Sequence, residues 1–223
     1  MQNLHINKSF HRPLIVGVGG FSSDVGKTTL VCDLLRAFPG AEAIKATRGH
    51  HRSCGKDPKA CCVSDLLGES AVVRSGSEQT YTKGKDTGNY WDAGAVNVHW
   101  VIATDTQVNE GVQEALARVQ SEIVFIEGNS FTQYIDPDFF IMVIRRDRMT
   151  IKKTARNAMN RVSAIYVSGT HDAPIEAEFE ELSGVNMSSD IPVFSSQTFS
   201  MLVERIQNNL HRARQTKPFR AAS

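Results

Sequence analysis

Lys27 and Thr28 close the segment Gly20-Phe-Ser-Ser-Asp-Val-Gly-Lys-Thr28, and this order of residue types suits a polyphosphate. Glycines let backbone N–H groups converge on anionic oxygens at the positive end of a helix. A lysine at the closing position can reach the β and γ phosphates, and the hydroxyl beside it can bind the magnesium ion that bridges them. Gly20, Ser22, Ser23, Asp24, Val25, Gly26, Lys27, Thr28 and Thr29 are the candidate residues for holding a nucleoside triphosphate, GTP or ATP. The alternative is a glycine-rich turn that binds nothing.

Carboxylates come from two further segments. Ile123-Val-Phe-Ile-Glu127 is an apolar run ending in an acid. If the run is a buried strand, Glu127 lies at its carboxyl end, where ligands of open α/β sheets gather, and can hold the magnesium shell or orient a water. With Lys27 it forms the candidate catalytic pair. A carboxylate capping the following turn is the other reading. Lys85 and Asp86 stand where a helix should begin, so the lysine could contact a phosphate and the aspartate a metal-bound water. Asp86 is equally at home as an ordinary first-turn helix residue.

His50-His-Arg-Ser-Cys54-Gly-Lys-Asp-Pro-Lys-Ala-Cys61-Cys62 gathers imidazoles and thiols, the ligands of zinc or iron. The six-residue gap and adjacent cysteines do not fit a CxxC knuckle, so His50, Cys54, Cys61 and Cys62 are either soft-metal ligands or residues of a polar loop. The basic run Arg145-Arg-Asp-Arg148 is a solvated face or, at a strand end, a contact for substrate anions.

These residues require a parallel sheet to bring them together. Leu14 to Val18 form a short apolar strand, and Thr28 to Leu35 have helical spacing. Strands are expected at 41–46, 98–103, 123–126, 139–144, 164–167 and 191–194, with helices near 62–73, 87–95, 108–119, 150–161 and 198–212. Such alternation predicts an α/β fold: a doubly wound, mostly parallel sheet with helices on both faces. The expected organisation is an N-terminal arm over 1–12, one domain over 13–214 with a long loop insertion at about 47–85, and a tail over 215–223.

At 223 residues, with 41% hydrophobic and 22% charged residues, the chain can build one large core. Its net charge of +1 gives no global field for nucleic acid or an anionic membrane, so neither is an expected partner. No apolar run reaches the length of a membrane span, and the polar start has no signal-peptide core, which points to the cytoplasm. Cys32 reads as a small buried apolar residue, and structural disulfides are not expected in a reducing compartment. Nothing fixes the oligomeric state, and a homodimer is compatible with the sequence.

Two families share parts of this pattern. The loop, with its glycine one residue earlier than the ordinary spacing and Val-Gly-Lys-Thr at its close, resembles that of dethiobiotin synthetase. Over about residues 13–130 the chain resembles the molybdopterin-guanine dinucleotide biosynthesis adaptor (protein B type). The resemblance rests on Gly84-Lys-Asp-Thr87, a five-residue spacer, Ala93-Gly-Ala95, Glu127-Gly128, and Ala43-Ile-Lys-Ala-Thr-Arg-Gly-His-His51. Gly88-Asn89 replaces that family's Arg-His pair, and no Asn-Lys-x-Asp guanine signature is present. The adaptor resemblance implies a magnesium-dependent P-loop GTPase or ATPase of molybdenum cofactor biosynthesis, with a cofactor-biosynthesis protein as partner. The synthetase resemblance implies an ATP-dependent kinase or ligase acting on a small anionic acceptor, with the long loop as its acceptor pocket. A third reading makes that loop a metal-handling module gated by the nucleotide.

Overall fold

The computed structural model describes residues 12–49, 63–148, 150–169 and 190–215. The first apolar run becomes β1 (Leu14–Gly20), buried at every position, and leads through the Gly20–Thr28 loop into α1 (Lys27–Ala37). β2 (Glu42–Arg48), β3 (Val72–Ser75), α2 (Ser77–Thr80), α3 (Asp86–Asp92), β4 (Val98–Ala103), α4 (Val108–Arg118) and β5 (Ile123–Glu127) follow. β6 (Phe139–Arg145), α5 (Lys153–Ala158), β7 (Ala164–Ser168), β8 (Val193–Ser195) and α6 (Phe199–Gln215) complete the order.

The eight strands form one sheet in the order β3-β4-β2-β5-β1-β6-β7-β8. All pairs are parallel except β3 with β4. β1 lies between β5 and β6, so its carboxyl end opens at the centre of the sheet. One core layer joins Leu30, Leu34 and Leu35 of α1, Tyr90 of α3, and Leu202 and Ile206 of α6 to one face. The opposite layer packs Val108, Val112 and Ala115 of α4 and Ala155 and Ala158 of α5. Near-continuous apolar strands are what a sheet covered on both sides requires. This eight-stranded, mostly parallel sheet, with a strand, Gly-Lys-Thr loop and helix at its centre and helices on both faces, is a doubly wound α/β architecture. No helix among the described residues is long and apolar enough to cross a membrane.

The stretch expected to carry a helix over 62–73 differs. After a 3-10 turn at Ser64–Leu66, Val72–Ser75 is an antiparallel strand on the edge of β4, with Val72 opposite Ile102 and Val73 opposite Val101. The β-branched pair satisfies β4's free backbone groups, a long-range opportunity that local spacing does not reveal. Within the expected 47–85 insertion, therefore, the described residues also contain β3 and α2. The helix expected over 150–161 begins only at Lys153 and tightens to a 3-10 turn at Met159–Arg161.

A buried polar chain braces the amino ends of β2 and β4. His99, fully buried, lies 2.7 Å from Glu42 Oε2 and 2.9 Å from Ser75 Oγ. The other Glu42 oxygen accepts the backbone N–H groups of Gln120 and Ser121 at 2.7 and 2.8 Å. Burial would raise the Glu42 carboxyl, but these hydrogen bonds outweigh it and hold the group below the usual range.

Candidate functional site

Phe21 stands where the ordinary loop spacing would place its first glycine, and the fold shows why it is tolerated. Its side chain is fully buried, its N–H donates to Val143 O at 3.1 Å, and its carbonyl accepts the Lys152 N–H at 2.9 Å. Phe21 thus anchors the loop in the core, while the preceding Gly20 supplies the close approach. A Cβ on Gly20 would lie 2.7 Å from Val25 Cγ2 and 2.9 Å from Lys27 Cδ, in the path of the lysine stem. Asp24 (φ 57°) and Gly26 (φ 92°) take left-handed conformations that turn the chain into α1.

Neighbouring segments hold the loop. The Ser168 hydroxyl donates to Val25 O at 2.6 Å, and Lys152 Nζ donates to Ser23 Oγ at 2.6 Å. Arg148 reaches Asp24 at 3.3 Å. Lys27 Nζ folds back across the loop to Ser22 O at 3.1 Å. Burial lowers the Lys27 ammonium from its ordinary value, with Glu127 opposing and Lys45 and Lys152 reinforcing the shift.

Thr28, at the start of α1, brings the carboxylates together. Its Oγ1 lies 3.1 Å from Asp86 Oδ1 and 3.0 Å from Glu127 Oε2. Asp86 is therefore both the first residue of α3 and a member of the site, and Glu127 faces side chains rather than capping a turn. Lys45 completes the group, with Nζ 2.5 Å from both Glu127 Oε1 and Asp86 Oδ2. Adjacent parallel strands place it there, since Lys45 and Glu127 are register partners in the β2–β5 pair. Burial alone would depress the Lys45 ammonium, but the Glu127 and Asp86 charges outweigh it and raise its pKa. Burial likewise opposes ionisation of Asp86, and the Lys45 charge overcomes it, so this carboxyl lies below its ordinary value.

Behind these groups the fully buried Tyr90 hydroxyl donates to Glu127 Oε2. Burial, reinforced by the Glu127 charge, lifts the phenol well above its ordinary pKa. Ser23, Asp24, Gly26, Lys27, Thr28, Thr29, Lys45, Asp86, Glu127 and Arg145 line one cleft of about 460 Å³ at the carboxyl ends of the strands. Such a volume is within the range of small-molecule sites.

Of the expected residues, Gly20, Ser22 and Val25 shape the loop from behind, whereas Lys85 is exposed and is not among those lining the cleft. Lys85 precedes α3 with its backbone extended, and the lysine that reaches the carboxylates is Lys45. Lys45 lies in the middle of β2, and its pairing with Glu127 comes from the register of β2 with β5, which local spacing does not reveal. Tyr90 carried no signal either, because an aromatic residue at helical spacing reads as core. His50, Cys54, Cys61 and Cys62 lie outside the described residues. Among the described residues no group of three or more His, Cys, Asp or Glu side chains could hold a metal ion. Cys32 is a free, buried thiol raised to about 11 by burial, and it reaches Asn89 O of α3 at 3.5 Å.

No protein-family profile matches the chain, and no curated protein matches it. Among solved structures it is similar to HypB from Helicobacter pylori in complex with nickel, with TM-score 0.48, 11% identity, and coverage of 95% of this chain and 92% of that one. It is also similar to the "apo" form of LpxK from Aquifex aeolicus in complex with ATP, with TM-score 0.44, 18% identity, and coverage of 83% of this chain. The match spans 54% of LpxK, about half its length.

Proposed function

We propose that this chain binds a nucleoside triphosphate with magnesium along Gly20–Thr29 and promotes attack on the terminal phosphoryl group by water or a small acceptor. The convergence of Lys27, Thr28, Asp86 and Glu127 at the end of β1 and β5 carries this reading. The donor set fits the ion: a hydroxyl and two carboxylates are hard oxygen ligands, and magnesium is commonly held by one or two protein groups together with phosphate oxygens. Bound there, it would neutralise charge on the β and γ phosphates. Thr28 is the direct ligand in this reading, and Asp86 and Glu127 hold the surrounding shell. Lys27 turns from Ser22 O to the phosphates, where an anion offsets the burial that now lowers its pKa. Catalysis at such a site is mainly positioning and charge neutralisation.

Two finer readings differ in what receives the phosphoryl group. The spacing of Gly84-Lys-Asp-Thr87 and Ala93-Gly-Ala95 supports a slow NTPase of the molybdopterin-guanine dinucleotide adaptor kind, acting with a cofactor-biosynthesis protein. The early Gly20 and the cations Lys45 and Arg145 on the cleft support an ATP-dependent kinase or ligase of the dethiobiotin synthetase kind, because they could meet an anionic acceptor. A titration of ATP and GTP with magnesium, followed by phosphate release with and without carboxylate or hydroxyl acceptors, separates them. Preference for GTP with slow release supports the adaptor, and ATP turnover that requires an acceptor supports the transferase. Binding of neither nucleotide would remove both.

A further inference from the structure

Glu127 is 3% exposed and takes hydrogen bonds from three side chains: Lys45 on Oε1, and Thr28 and Tyr90 on Oε2. A buried carboxylate needs such partners, and its orientation follows theirs. The three are not equivalent. Thr28 and Lys45 line the cleft, so a metal ion or phosphate entering it competes for them. Tyr90 is fully buried behind the cleft wall, where no ligand reaches it.

The element carrying Tyr90 is itself tied down. Asp86 and Tyr90 are four residues apart on α3 and so share a face, and both address the Thr28–Glu127 group. Trp91 Nε1 donates to Thr80 Oγ1 at 2.9 Å, and Cys32 of α1 contacts Asn89 O. Gly88 lets the helix lie against the preceding segment, since a Cβ there would come within 2.1 Å of Thr82 O. The phenol is therefore delivered by a helix fixed on two sides.

We infer that Tyr90 is a positioning residue that holds the Glu127 carboxylate in its working orientation while ligands draw Thr28 and Lys45 away. This rests on the phosphoryl-transfer reading above. Tyr90 itself touches neither nucleotide nor metal. Its hydroxyl also occupies Oε2, which leaves Oε1 as the oxygen facing Lys45 and the strand ends.

Tyr90→Phe keeps the ring in the core and removes only the hydroxyl. The experiment compares the unsubstituted protein, Tyr90→Phe, Glu127→Gln and the double variant by thermal unfolding, magnesium-nucleotide binding, Mn²⁺ affinity of the complex with a non-hydrolysable nucleotide, and phosphate release. Tyr90→Phe should remain folded and bind nucleotide within about threefold of the unsubstituted protein, while phosphate release and Mn²⁺ affinity each fall roughly tenfold, the loss expected for one hydrogen bond to a charged group. In the Glu127→Gln background the same change should alter either quantity by less than about twofold, because residues acting through one group are not additive. Equal losses in both backgrounds, or no loss in either, would overturn the inference while leaving the nucleotide site standing. Failure of the unsubstituted protein to bind any nucleoside triphosphate would remove the site and the inference together.

Discussion

The side-chain amide of Asn129 makes two hydrogen bonds to the backbone of Gly20, accepting from its N–H and donating to its carbonyl, each at 2.8 Å. Asn129 follows Glu127 by two residues, so the segment that supplies the carboxylate also fixes the start of the Gly20–Thr28 loop. Gly19 makes the approach available, because a Cβ on it would lie 2.3 Å from Asn129 Oδ1. Loop and acid are thereby coupled through the backbone as well as through Thr28.

Asn129→Ala should leave both Gly20 groups without this partner in a confined space. The expected cost is about 1 to 3 kcal/mol of stability, the range for an unsatisfied buried polar group. Chemical denaturation gives that figure, and calorimetric titration should show weaker nucleotide binding, since the loop loses its preorganised start. Unchanged stability and affinity would mean that water replaces the amide without consequence.

Lys27→Ala should abolish most of the affinity for nucleoside triphosphate while the fold persists. Loss of a charge-assisted contact of this kind is worth about 1.5 to 3 kcal/mol, roughly ten- to a hundredfold in affinity. Among the described residues the ammonium donates to a loop carbonyl, that of Ser22, so far-ultraviolet circular dichroism should not change. Full retention of binding in calorimetry would contradict the phosphate-loop assignment.

Glu127→Gln should separate binding from turnover. The amide keeps the shape at the end of β5 but removes the charge that Lys45, Thr28 and Tyr90 address. Magnesium-nucleotide affinity is expected within a modest factor, with phosphate release or transfer lowered roughly a hundredfold or more. A parallel fall in both would make Glu127 a structural residue.

Lys45→Met should destabilise the protein by about 3 kcal/mol, toward the lower end of the range for a buried charge left without its partner. The lower end applies because Asp86 remains 45% exposed. Lys45 has a raised pKa in the fold, so its contribution is complete below the ordinary lysine range and disappears as pH rises through the folded value. The unsubstituted protein should therefore lose stability in strongly alkaline solution by a component that the variant lacks. Denaturation midpoints measured across that range test the difference.

Glu42→Gln should flatten the acid side of the stability profile. The Glu42 carboxyl is depressed in the fold, so its contribution is present above the unfolded value and is lost as pH falls through the folded one. Near neutrality the variant should lose about 2 kcal/mol, because an amide cannot accept from His99 and from both backbone N–H groups as the carboxylate does. Below the folded value the two proteins should converge, which urea unfolding at a series of pH values would show.

Local sequence determined much of this protein. The apolar run at 14–18, the Gly-Lys-Thr at 26–28 and the run ending at Glu127 specify buried parallel strands and a tight strand-to-helix loop, because strand burial and glycine conformation are short-range demands. Asp86 was also legible as a helix start near the sheet edge. Local pattern could not decide which lysine would enter the site, since Lys45 is brought to Glu127 by β2–β5 register and Lys85 is left exposed by where α3 begins. Nor could it show that Val72–Ser75 would join β4, that Phe21 would anchor the loop, or that Tyr90 would end on Glu127. Each of these is a contact between residues distant in the chain, formed only when the sheet order is complete. Residue type indicated what chemistry was available, and strand order and register decided which side chains would share it.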